Sequence, residues 1–450
     1  MSALKHNKFI LWVAGLVSIG GILYGYDIGV ISGALLFIKN SITMNDTQVG
    51  YIVGAVLGGG LFGTLAAGPI ADRFGRKFLI AISALIFIVG IFEILLATTF
   101  ISIFSARLLL GTAIGMIAVA VPLYVAEIVP SKNRGKYMTL FQLFLTFGIV
   151  LAYFVDLIFT PSGNWRGMFA VLLLPAAIFF TGILFLPETP RWLIANNKPE
   201  KARKILAKIR QHEDEIEAEM NSIAGSFNRV RSSWREFLTP QFLNATFTAV
   251  SIAVFNQLTG INSFLQYAPL ILKNAGMSSN ELTMLGSVGI GMLNFIFTIV
   301  AIALIDSLGR RPLLLAGVFG VMVSEVYLGI ITYFIPHSPA TGMLILGGLL
   351  LFIASFAIGP GVVVWLAISE LFPTRFRGKG IAICLFFNSL AATILSVYFL
   401  PLVKFLGMGA TYWLFALFSL GYFLIVLFSL PETKSRTLEE IQLSFENKSA

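Results

Sequence analysis

The chain has 450 residues, of which 57% are hydrophobic and only 12% are charged. This composition excludes a set of soluble domains and indicates an integral membrane protein. The single cysteine, Cys384, excludes an internal disulfide and a cysteine-built metal site. The three histidines lie far apart in the sequence, so we expect neither a metal cluster nor a cofactor.

Twelve apolar runs of about 18 or more residues follow one another along the chain, and each is long enough to cross a bilayer as a helix. They cover residues 9–38, 47–71, 78–97, 101–127, 137–156, 166–186, 245–273, 282–305, 313–334, 342–370, 380–402 and 411–430. The predicted fold class is therefore an all-α membrane protein with twelve transmembrane helices.

Basic residues are distributed unevenly between the two sides of the predicted membrane. If the N-terminus is cytoplasmic, 26 of the 31 Lys and Arg residues fall on the cytoplasmic side and four on the other side. The positive-inside rule then predicts that both termini and the long central loop are cytoplasmic. The net charge of +9 reflects this topology, so we expect the lipid bilayer, and no nucleic acid, as a partner.

The first run carries an acid near its middle, at Asp27 in the stretch YGYDIGVISG. A charge in hydrocarbon costs about 3 kcal/mol on insertion scales, so an intramembrane acid indicates a functional site. The nearest candidate counter-charge is Arg107, the one basic residue that lies inside a run away from its ends. A buried pair of this kind favours proton handling; the alternative is that Asp27 faces a solvated rim.

The chain is divided into two halves of six runs each. The dividing segment, 187–244, carries Lys, Arg and Glu at helical spacing, which predicts amphipathic helices under the membrane. The predicted domains are a six-helix bundle over 1–186, a cytoplasmic linker over 187–244, a second six-helix bundle over 245–430 and a cytoplasmic tail over 431–450.

Three motifs occur once in each half, separated by roughly 240 residues. GPIADRFGRKFLI pairs with IALIDSLGRRPLLL, YVAEIVPSKNRGK with AISELFPTRFRGK, and LPETPR with LPETKSR. The repetition indicates an internal duplication, and it predicts two pseudo-symmetric bundles that rock about a site at the midplane of the membrane.

The repeated motifs place acids at helix ends and arginines just beyond them. We expect ion pairs that act as breakable cytoplasmic latches, because a surface pair contributes only about 0–1 kcal/mol. The alternative is that the arginines serve only as positive-inside anchors. The candidate latch residues are Asp72, Arg73, Arg76, Glu127, Arg134, Glu188, Arg191, Asp306, Arg310, Arg311, Glu370 and Arg377.

In these motifs, together with GYDIGVISG, QLTGIN and GPGVVVW, the chain resembles the sugar porter family of the major facilitator superfamily, and the resemblance covers nearly the whole chain. That family comprises bacterial proton–sugar symporters and facilitative glucose transporters. The resemblance implies a sugar site lined by polar and aromatic side chains on several helices. The matching positions are Gln142, Asn256, Gln257, Asn262, Tyr267, Asn294, Trp365 and Asn388.

The chemistry of these residues agrees with an uncharged polyhydroxylated ligand. A side-chain amide offers one acceptor oxygen and two donor hydrogens, which suits a hydroxyl that both donates and accepts. The alternative is that the amides only hold neighbouring helices together. Gly260 and the sequence Gly359-Pro360-Gly361 can interrupt the seventh and tenth helices, as expected of gates over a midplane site.

Some positions depart from the family pattern. Asn256, Gln266 and Ser389 replace residues that are common in relatives, so the identity of the sugar stays open. Asp27 and Arg107 match the proton-coupling pair of the symporters, but Leu172 stands where some symporters have a second membrane acid. Two other acids deep in apolar runs, Glu93 and Glu325, are candidate assistants in proton transfer on helices that are peripheral in this family.

The expected function is proton-coupled symport of a monosaccharide, a hexose or a pentose, into the cell by alternating access. The alternatives are a proton-independent facilitator and a membrane sugar sensor that does not transport. No nucleophile–base pair indicates an enzyme. We expect a bacterial cell-membrane protein that functions as a monomer, with the sugar and the proton as its partners.

Overall fold

The computed structural model describes residues 2–130, 134–210, 212–227, 237, 239–372 and 377–434. Within these ranges the chain forms nineteen α-helices and a short 3-10 helix at Thr160–Ser162, with no β-strand. The predicted all-α fold class is confirmed.

Helices of the first half follow the first six apolar runs and the linker. They are α1 (Ser2–Ala34), α2 (Ile38–Ser41), α3 (Asp46–Phe74), α4 (Arg76–Leu96), α5 (Phe100–Ile128), α6 (Arg134–Phe159), α7 (Trp165–Ala170), α8 (Leu173–Phe185), α9 (Pro190–Ala195), α10 (Pro199–Ile209) and α11 (Glu213–Phe227). The short helices α9 to α11 lie in the segment that the sequence predicted to be an amphipathic linker, and they confirm its helical character.

Helices of the second half follow the last six runs. They are α12 (Pro240–Leu258), α13 (Ile261–Asn274), α14 (Asn280–Leu308), α15 (Arg310–Phe334), α16 (Pro339–Ile358), α17 (Pro360–Leu371), α18 (Arg377–Leu406) and α19 (Met408–Ser429). Eleven segments of the described chain are long and apolar enough to span a membrane, against twelve predicted runs. The difference is the seventh run, which is divided between α12 and α13.

Two predicted helix interruptions are present. Gly260 separates α12 from α13 and has a φ of +79°, in the left-handed region that glycine adopts without a steric penalty. Gly359 separates α16 from α17, and Pro360 then occupies the first turn of α17, where its missing N–H costs no hydrogen bond. The regular helix is therefore interrupted inside both apolar runs.

The linker helix α10 shows why the central segment folds. Ala202, Leu206 and Ile209 are buried and recur at the spacing of one helix face, while most of its lysines are exposed. Arg210, which follows the helix, binds Glu219 of α11 with N–O distances of 2.6 and 2.8 Å and also donates to the carbonyl of Ile128. The linker is thus attached to the end of α5.

Contacts between Cα atoms divide the chain into two compact units. Unit 1 contains residues 1–27, 58–148 and 169–231, and unit 2 contains residues 28–57, 149–168 and 232–450. The divisions among the described helices fall inside α1, α3, α6 and α7, so each of these helices contributes one part to each unit.

Within unit 1, α3 and α5 approach each other at glycines. A Cβ atom built on Gly115 would lie 2.8 Å from both the Cα and the carbonyl carbon of Gly60. A Cβ atom built on Gly63 would lie 2.9 Å from the carbonyl carbon of Thr112. Since real side-chain carbons do not approach backbone so closely, these helices need glycine to keep their present separation.

We expect Gly115→Ala to lower the thermal stability of the detergent-solubilised protein, because overpacking a close contact costs roughly 1–3 kcal/mol. Tryptophan fluorescence during heating measures the Tm. Gly68→Ala is the matched control, since a Cβ atom there would meet no other atom within 4 Å. Equal Tm values for the two variants would show that the contact can relax without cost.

Candidate functional site

Asp27 of α1 and Arg107 of α5 form a buried ion pair in unit 1. The Nη1 atom of Arg107 lies 2.6 Å from Oδ1 of Asp27, and both side chains are completely buried. The guanidinium carbon of Arg107 lies 5.9 Å from the centre of the Phe169 ring, which packs beside it. The other carboxylate oxygen, Oδ2 of Asp27, is buried and has no hydrogen-bond partner among the described residues.

The pair is buried where either charge alone would be costly. Removing one partner of a buried pair leaves an uncompensated charge and costs about 3–5 kcal/mol. Close packing in unit 1 fixes the backbone around Asp27, since a Cβ atom on Gly148 of α6 would lie 2.9 Å from the backbone nitrogen of Tyr26. The pairing of Asp27 with Arg107 that the sequence proposed is therefore present, and Asp27 does not face a solvated rim.

In unit 2, three side-chain amides form a continuous hydrogen-bonded chain. Nδ2 of Asn262 donates to Oε1 of Gln257 at 2.7 Å, and Nε2 of Gln257 donates to Oδ1 of Asn388 at 3.1 Å. The break at Gly260 brings the first two together, because Gln257 ends α12 and Asn262 begins α13. The interruption of the backbone thus places both amides in one hydrogen-bonded cluster with Asn388 of α18.

Asn256, beside this chain of amides, has spare hydrogen-bonding capacity. It is 5% exposed, and its side-chain oxygen Oδ1 has no hydrogen-bond partner within the part of the chain that the structure describes. A buried and unsatisfied polar atom is costly, by about 1–3 kcal/mol, so such atoms occur where a ligand or water supplies the partner. Asn256 is accordingly a candidate ligand contact.

The other predicted sugar residues have varied surroundings. Tyr267 of α13 is fully buried, donates its hydroxyl to the carbonyl of Ser396 at 3.2 Å and stacks on Phe399 with ring centres 4.9 Å apart. Asn294 of α14 is 7% exposed, and Trp365 of α17 is half-buried against the core of unit 2. Gln142 of α6 is half-buried and belongs to unit 1.

The repeated arginine motif of unit 1 is centred on Arg76. Its guanidinium lies 3.1 Å from Oε1 of Glu127 and 3.4 Å from Oδ1 of Asp72. Glu188 accepts hydrogen bonds of 2.9–3.2 Å from the backbone N–H groups of Arg76, Lys77 and Thr189. This carboxylate therefore occupies the N-terminus of α4, where unpaired N–H groups and the helix dipole favour an anion.

The corresponding motif of unit 2 repeats this arrangement around Arg310. The Arg310 guanidinium lies 3.3 Å from Oε1 of Glu370 and 3.4 Å from Oδ1 of Asp306. Glu432 accepts hydrogen bonds from the backbone N–H groups of Arg310 and Arg311 at the start of α15, at 3.1 and 3.0 Å. The residues before α4 and α15, Gly75 and Gly309, both have a positive φ.

Several candidate latch residues lie outside these two groups. Arg73 is exposed and lies over the Phe74 ring, and Arg191 is also exposed. Arg311 donates to the carbonyl of Leu427 at 2.6 Å. The predicted latch residues Arg134 and Arg377 have side chains outside the described part of the chain.

Sequence reasoning missed two acids. Glu432 went unnoticed as a binding partner because its role is to accept backbone N–H groups, which a charge-pairing argument does not consider; its position in the second LPET motif was the available signal. Asp156 closes the fifth apolar run and was given no role. It is completely buried and accepts a hydrogen bond from the backbone N–H of Gly33 at 3.1 Å.

The two other membrane acids have different surroundings. Glu93 of α4 is half-buried and accepts a hydrogen bond from the hydroxyl of Ser105 in α5. Glu325 of α15 is completely buried, and the hydroxyl of Ser419 in α19 acts on its carboxyl group. Leu172, at the junction of α7 and α8, is fully buried and apolar.

A bundle of membrane-spanning helices that holds a buried acid–guanidinium pair and a cluster of neutral amides at a broken helix defines a membrane transporter for small polar solutes. It is not an enzyme. The family described as "Sugar (and other) transporter" matches residues 13–445. The chain belongs to this family, the sugar porters of the major facilitator superfamily, and it is a multi-pass membrane protein.

Named relatives agree with this assignment. The chain is 36% identical to the glucose transporter GlcP of Staphylococcus epidermidis, over 98% of this chain and 97% of that protein. It is 33% identical to the galactose-proton symporter of Escherichia coli, over 97% and 95%. An inward-open structure of the xylose transporter XylE from E. coli aligns with a TM-score of 0.83 and 28% identity, over 97% and 99% of the two chains.

The two carboxylates at helix N-termini differ in acidity. Burial raises the pKa of Glu188 above its ordinary value, although three backbone N–H groups oppose this effect. Burial also tends to raise the pKa of Glu432, but hydrogen bonds from four backbone N–H groups outweigh it and hold that pKa below the ordinary value. Relative to the unfolded chain, folding therefore favours protonation of Glu188 and ionisation of Glu432.

We expect Glu432→Gln to lower the Tm at pH 7 by a few degrees, because it removes an anion that the fold stabilises. Because its pKa is lowered in the folded state, Glu432 adds to the free energy of unfolding at pH values above the ordinary glutamate pKa. This contribution is lost as the pH falls through the lowered pKa. The difference from the wild type should thus narrow as the pH falls below the ordinary glutamate pKa and vanish below the lowered one.

Glu188→Gln is the matched control. Because the pKa of Glu188 is raised in the folded state, its contribution to the free energy of unfolding is complete below the ordinary glutamate pKa. This contribution is lost as the pH rises through the raised pKa. Its amide variant should therefore have a smaller effect on the Tm at pH 7 than Glu432→Gln. The reverse order would contradict the assigned charge states.

Proposed function

We propose that this protein carries a monosaccharide, a hexose or a pentose, into the cell together with a proton by alternating access. The observation that carries the proposal is the buried Asp27–Arg107 pair, at 2.6 Å, in a chain that also has a neutral amide cluster at a broken helix. The galactose-proton symporter to which the chain is similar supports the same conclusion.

Asp27 is the proposed proton carrier. Its Oδ2 atom, which has no partner among the described residues, provides an atom for a proton to bind while Oδ1 faces Arg107. Protonation removes the negative charge and so weakens the attraction between α1 and α5. The two helices can then change their relative position, which couples proton entry to the transport cycle.

Neutral amides are the proposed sugar ligands. Asn256, Gln257, Asn262 and Asn388 supply donors and acceptors without a net charge, which favours hydroxyl groups over ionised solutes. The indole of Trp365 offers an apolar plane for the C–H face of a sugar ring. The complete set assigned to substrate binding is Gln142, Asn256, Gln257, Asn262, Tyr267, Asn294, Trp365 and Asn388.

Alternating access is assigned to the two duplicated halves, 1–186 and 245–430, with both termini in the cytoplasm. The basic residues of the repeated motifs support this orientation through the positive-inside rule. Arg76 and Arg310, each bound to two acids at 3.1–3.4 Å, are the proposed latches that open and re-form in each cycle. The protein functions as a monomer and without nucleic acid.

Asp27→Asn should abolish accumulation of labelled sugar against its gradient while exchange of sugar across the membrane continues at a reduced rate. A membrane potential of about 100 mV corresponds to roughly 2.3 kcal/mol per charge, or about fifty-fold accumulation, and this should fall to none. The measurement is uptake into proteoliposomes with D-glucose, D-xylose and D-galactose in turn.

Glu281→Gln serves as the control, since Glu281 is an exposed acid in the first turn of α14, outside the Asp27–Arg107 pair and the amide cluster. Uphill uptake that persists in Asp27→Asn would refute proton coupling through this residue and leave a facilitator. Binding of sugar without any exchange in the wild type would instead indicate a sensor.

Gln257→Leu should raise the apparent KM for the transported sugar about tenfold, because each lost hydrogen bond is worth about 0.5–1.5 kcal/mol and Gln257 occupies the middle of the amide chain. Competition among a panel of sugars for uptake measures the effect and identifies the substrate. Asn274→Leu, at an exposed position near the end of α13, is the control. An unaltered KM in Gln257→Leu would remove this residue from the site.

A further inference from the structure

Asp156 is a buried carboxyl group that the proposed transport cycle leaves without a role. It lies in the last turn of α6, in unit 2, and is completely buried. Its Oδ2 atom accepts the 3.1 Å hydrogen bond from the backbone N–H of Gly33. Its Oδ1 atom has no hydrogen-bond partner among the residues that the structure describes. One half of this carboxyl is therefore both dehydrated and unsatisfied.

The carboxyl group of Asp156 packs directly against the backbone of α1. A Cβ atom on Gly33 would lie 2.5 Å from Cγ of Asp156, so this position requires glycine. One turn earlier on both helices, a Cβ atom on Gly29 would lie 2.6 Å from Cβ of Ala152. The backbone of Asp156 is fixed as well, since Thr160 donates its hydroxyl to the Asp156 carbonyl at 2.7 Å.

Among the residues that the structure describes, no cation pairs with the Asp156 carboxyl to compensate a negative charge. From α1 the carboxyl faces the uncharged backbone of Gly33, and the titratable side chain that acts on it from α6 is Tyr153. The Tyr153 hydroxyl is already engaged, because it donates to the carbonyl of Leu265 in α13 at 2.8 Å, and α14 packs on its ring with Gly291. Within the described ranges no Lys or Arg forms an ion pair with Asp156.

Two helix ends also disfavour an anion here. Asp156 lies three residues before the end of α6 at Phe159, and Gly33 lies one residue before the end of α1 at Ala34. The C-terminus of a helix carries a partial negative charge, and neither last turn contains a basic residue. Burial, the lack of a cation among the described residues and both dipoles disfavour the charged form, while the hydrogen bond from Gly33 opposes them, so we expect a neutral carboxyl in this conformation.

We propose that Asp156 is a second proton-binding site of this transporter, protonated while α6 holds the last turn of α1 and ionised when the two helix ends separate. Water that enters between the separated ends accepts the proton, and the same water returns it before the ends close. This proton is not carried across the membrane. It makes the closure of these helix ends dependent on the pH of the solution that they face.

The first test is spectroscopic and does not require transport. The infrared spectrum of the wild-type protein at pH 7 should contain a carbonyl band of a protonated carboxylic acid that is missing from Asp156→Asn. Glu325→Gln is the matched control for a buried acid, and its difference spectrum should leave the Asp156 band in place. If the spectra of the wild type and Asp156→Asn show no such difference, Asp156 is ionised and the proposal is wrong.

The second test measures how pH controls the conformational change, and it rests on the proposed function. Exchange of labelled D-glucose, D-xylose or D-galactose is followed in proteoliposomes with equal pH on both sides, from about pH 6 to pH 9. Asp156→Asn is permanently neutral and keeps an acceptor for Gly33. Its rate relative to the wild type should rise with pH, by at most about tenfold per unit, because one proton is bound in one conformation and absent in the other.

Outcomes of the second test separate the two proposals. A constant ratio of the two rates across this pH range overturns the role of Asp156, even if the wild type exchanges sugar well. Absence of exchange with every sugar overturns the proposed function, and the infrared result then decides the protonation of Asp156 alone. If Asp156→Asn does not fold, Asp156→Glu replaces it in the infrared test, where a shift of the band supports the proposal and an unshifted spectrum contradicts it.

Discussion

The contact between the Asp27 carboxylate and the Arg107 guanidinium is the interaction on which the rest of this structure depends. Either charge alone is costly in an apolar bundle, because removal of a partner from a buried pair costs about 3–5 kcal/mol. The packing of unit 1 therefore keeps α1 and α5 in register around a carboxylate whose Oδ2 atom has no hydrogen-bond partner among the described residues. In the proposed function that oxygen takes the proton, so that stability and proton coupling depend on the same pair of side chains.

The two halves share the same local geometry at their repeated arginine motifs. In each case a glycine with a positive φ ends one helix, an arginine begins the next, and a distant glutamate accepts the exposed N–H groups. The pKa values of the two glutamates shift in opposite directions. Burial raises the pKa of Glu188, whereas backbone hydrogen bonds lower the pKa of Glu432. Equivalent positions in the repeat therefore share a geometry but differ in the charge state that the fold favours.

The sequence predicted those features that depend on local composition. Long apolar runs define the spanning helices, and Gly260 marks a break because glycine is free to adopt the left-handed conformation that ends α12. Asp27 stood out because it is an acid in the middle of a run. Asp156 did not, since it lies at the end of a run, where an acid would ordinarily meet water. Only tertiary packing against Gly33 buries it, and no sequence pattern encodes that contact.

The hydrogen bonds among the three amides of unit 2 have a consequence for release of the solute in the proposed function. Asn262, Gln257 and Asn388 are hydrogen-bonded to one another in this conformation, so in the proposed function a sugar hydroxyl exchanges existing bonds for new ones. Since an exchange of this kind yields only about 0.5–1.5 kcal/mol per bond, the ligand gains modest affinity from each contact. Weak retention shortens the residence time of the solute and permits rapid turnover of the carrier.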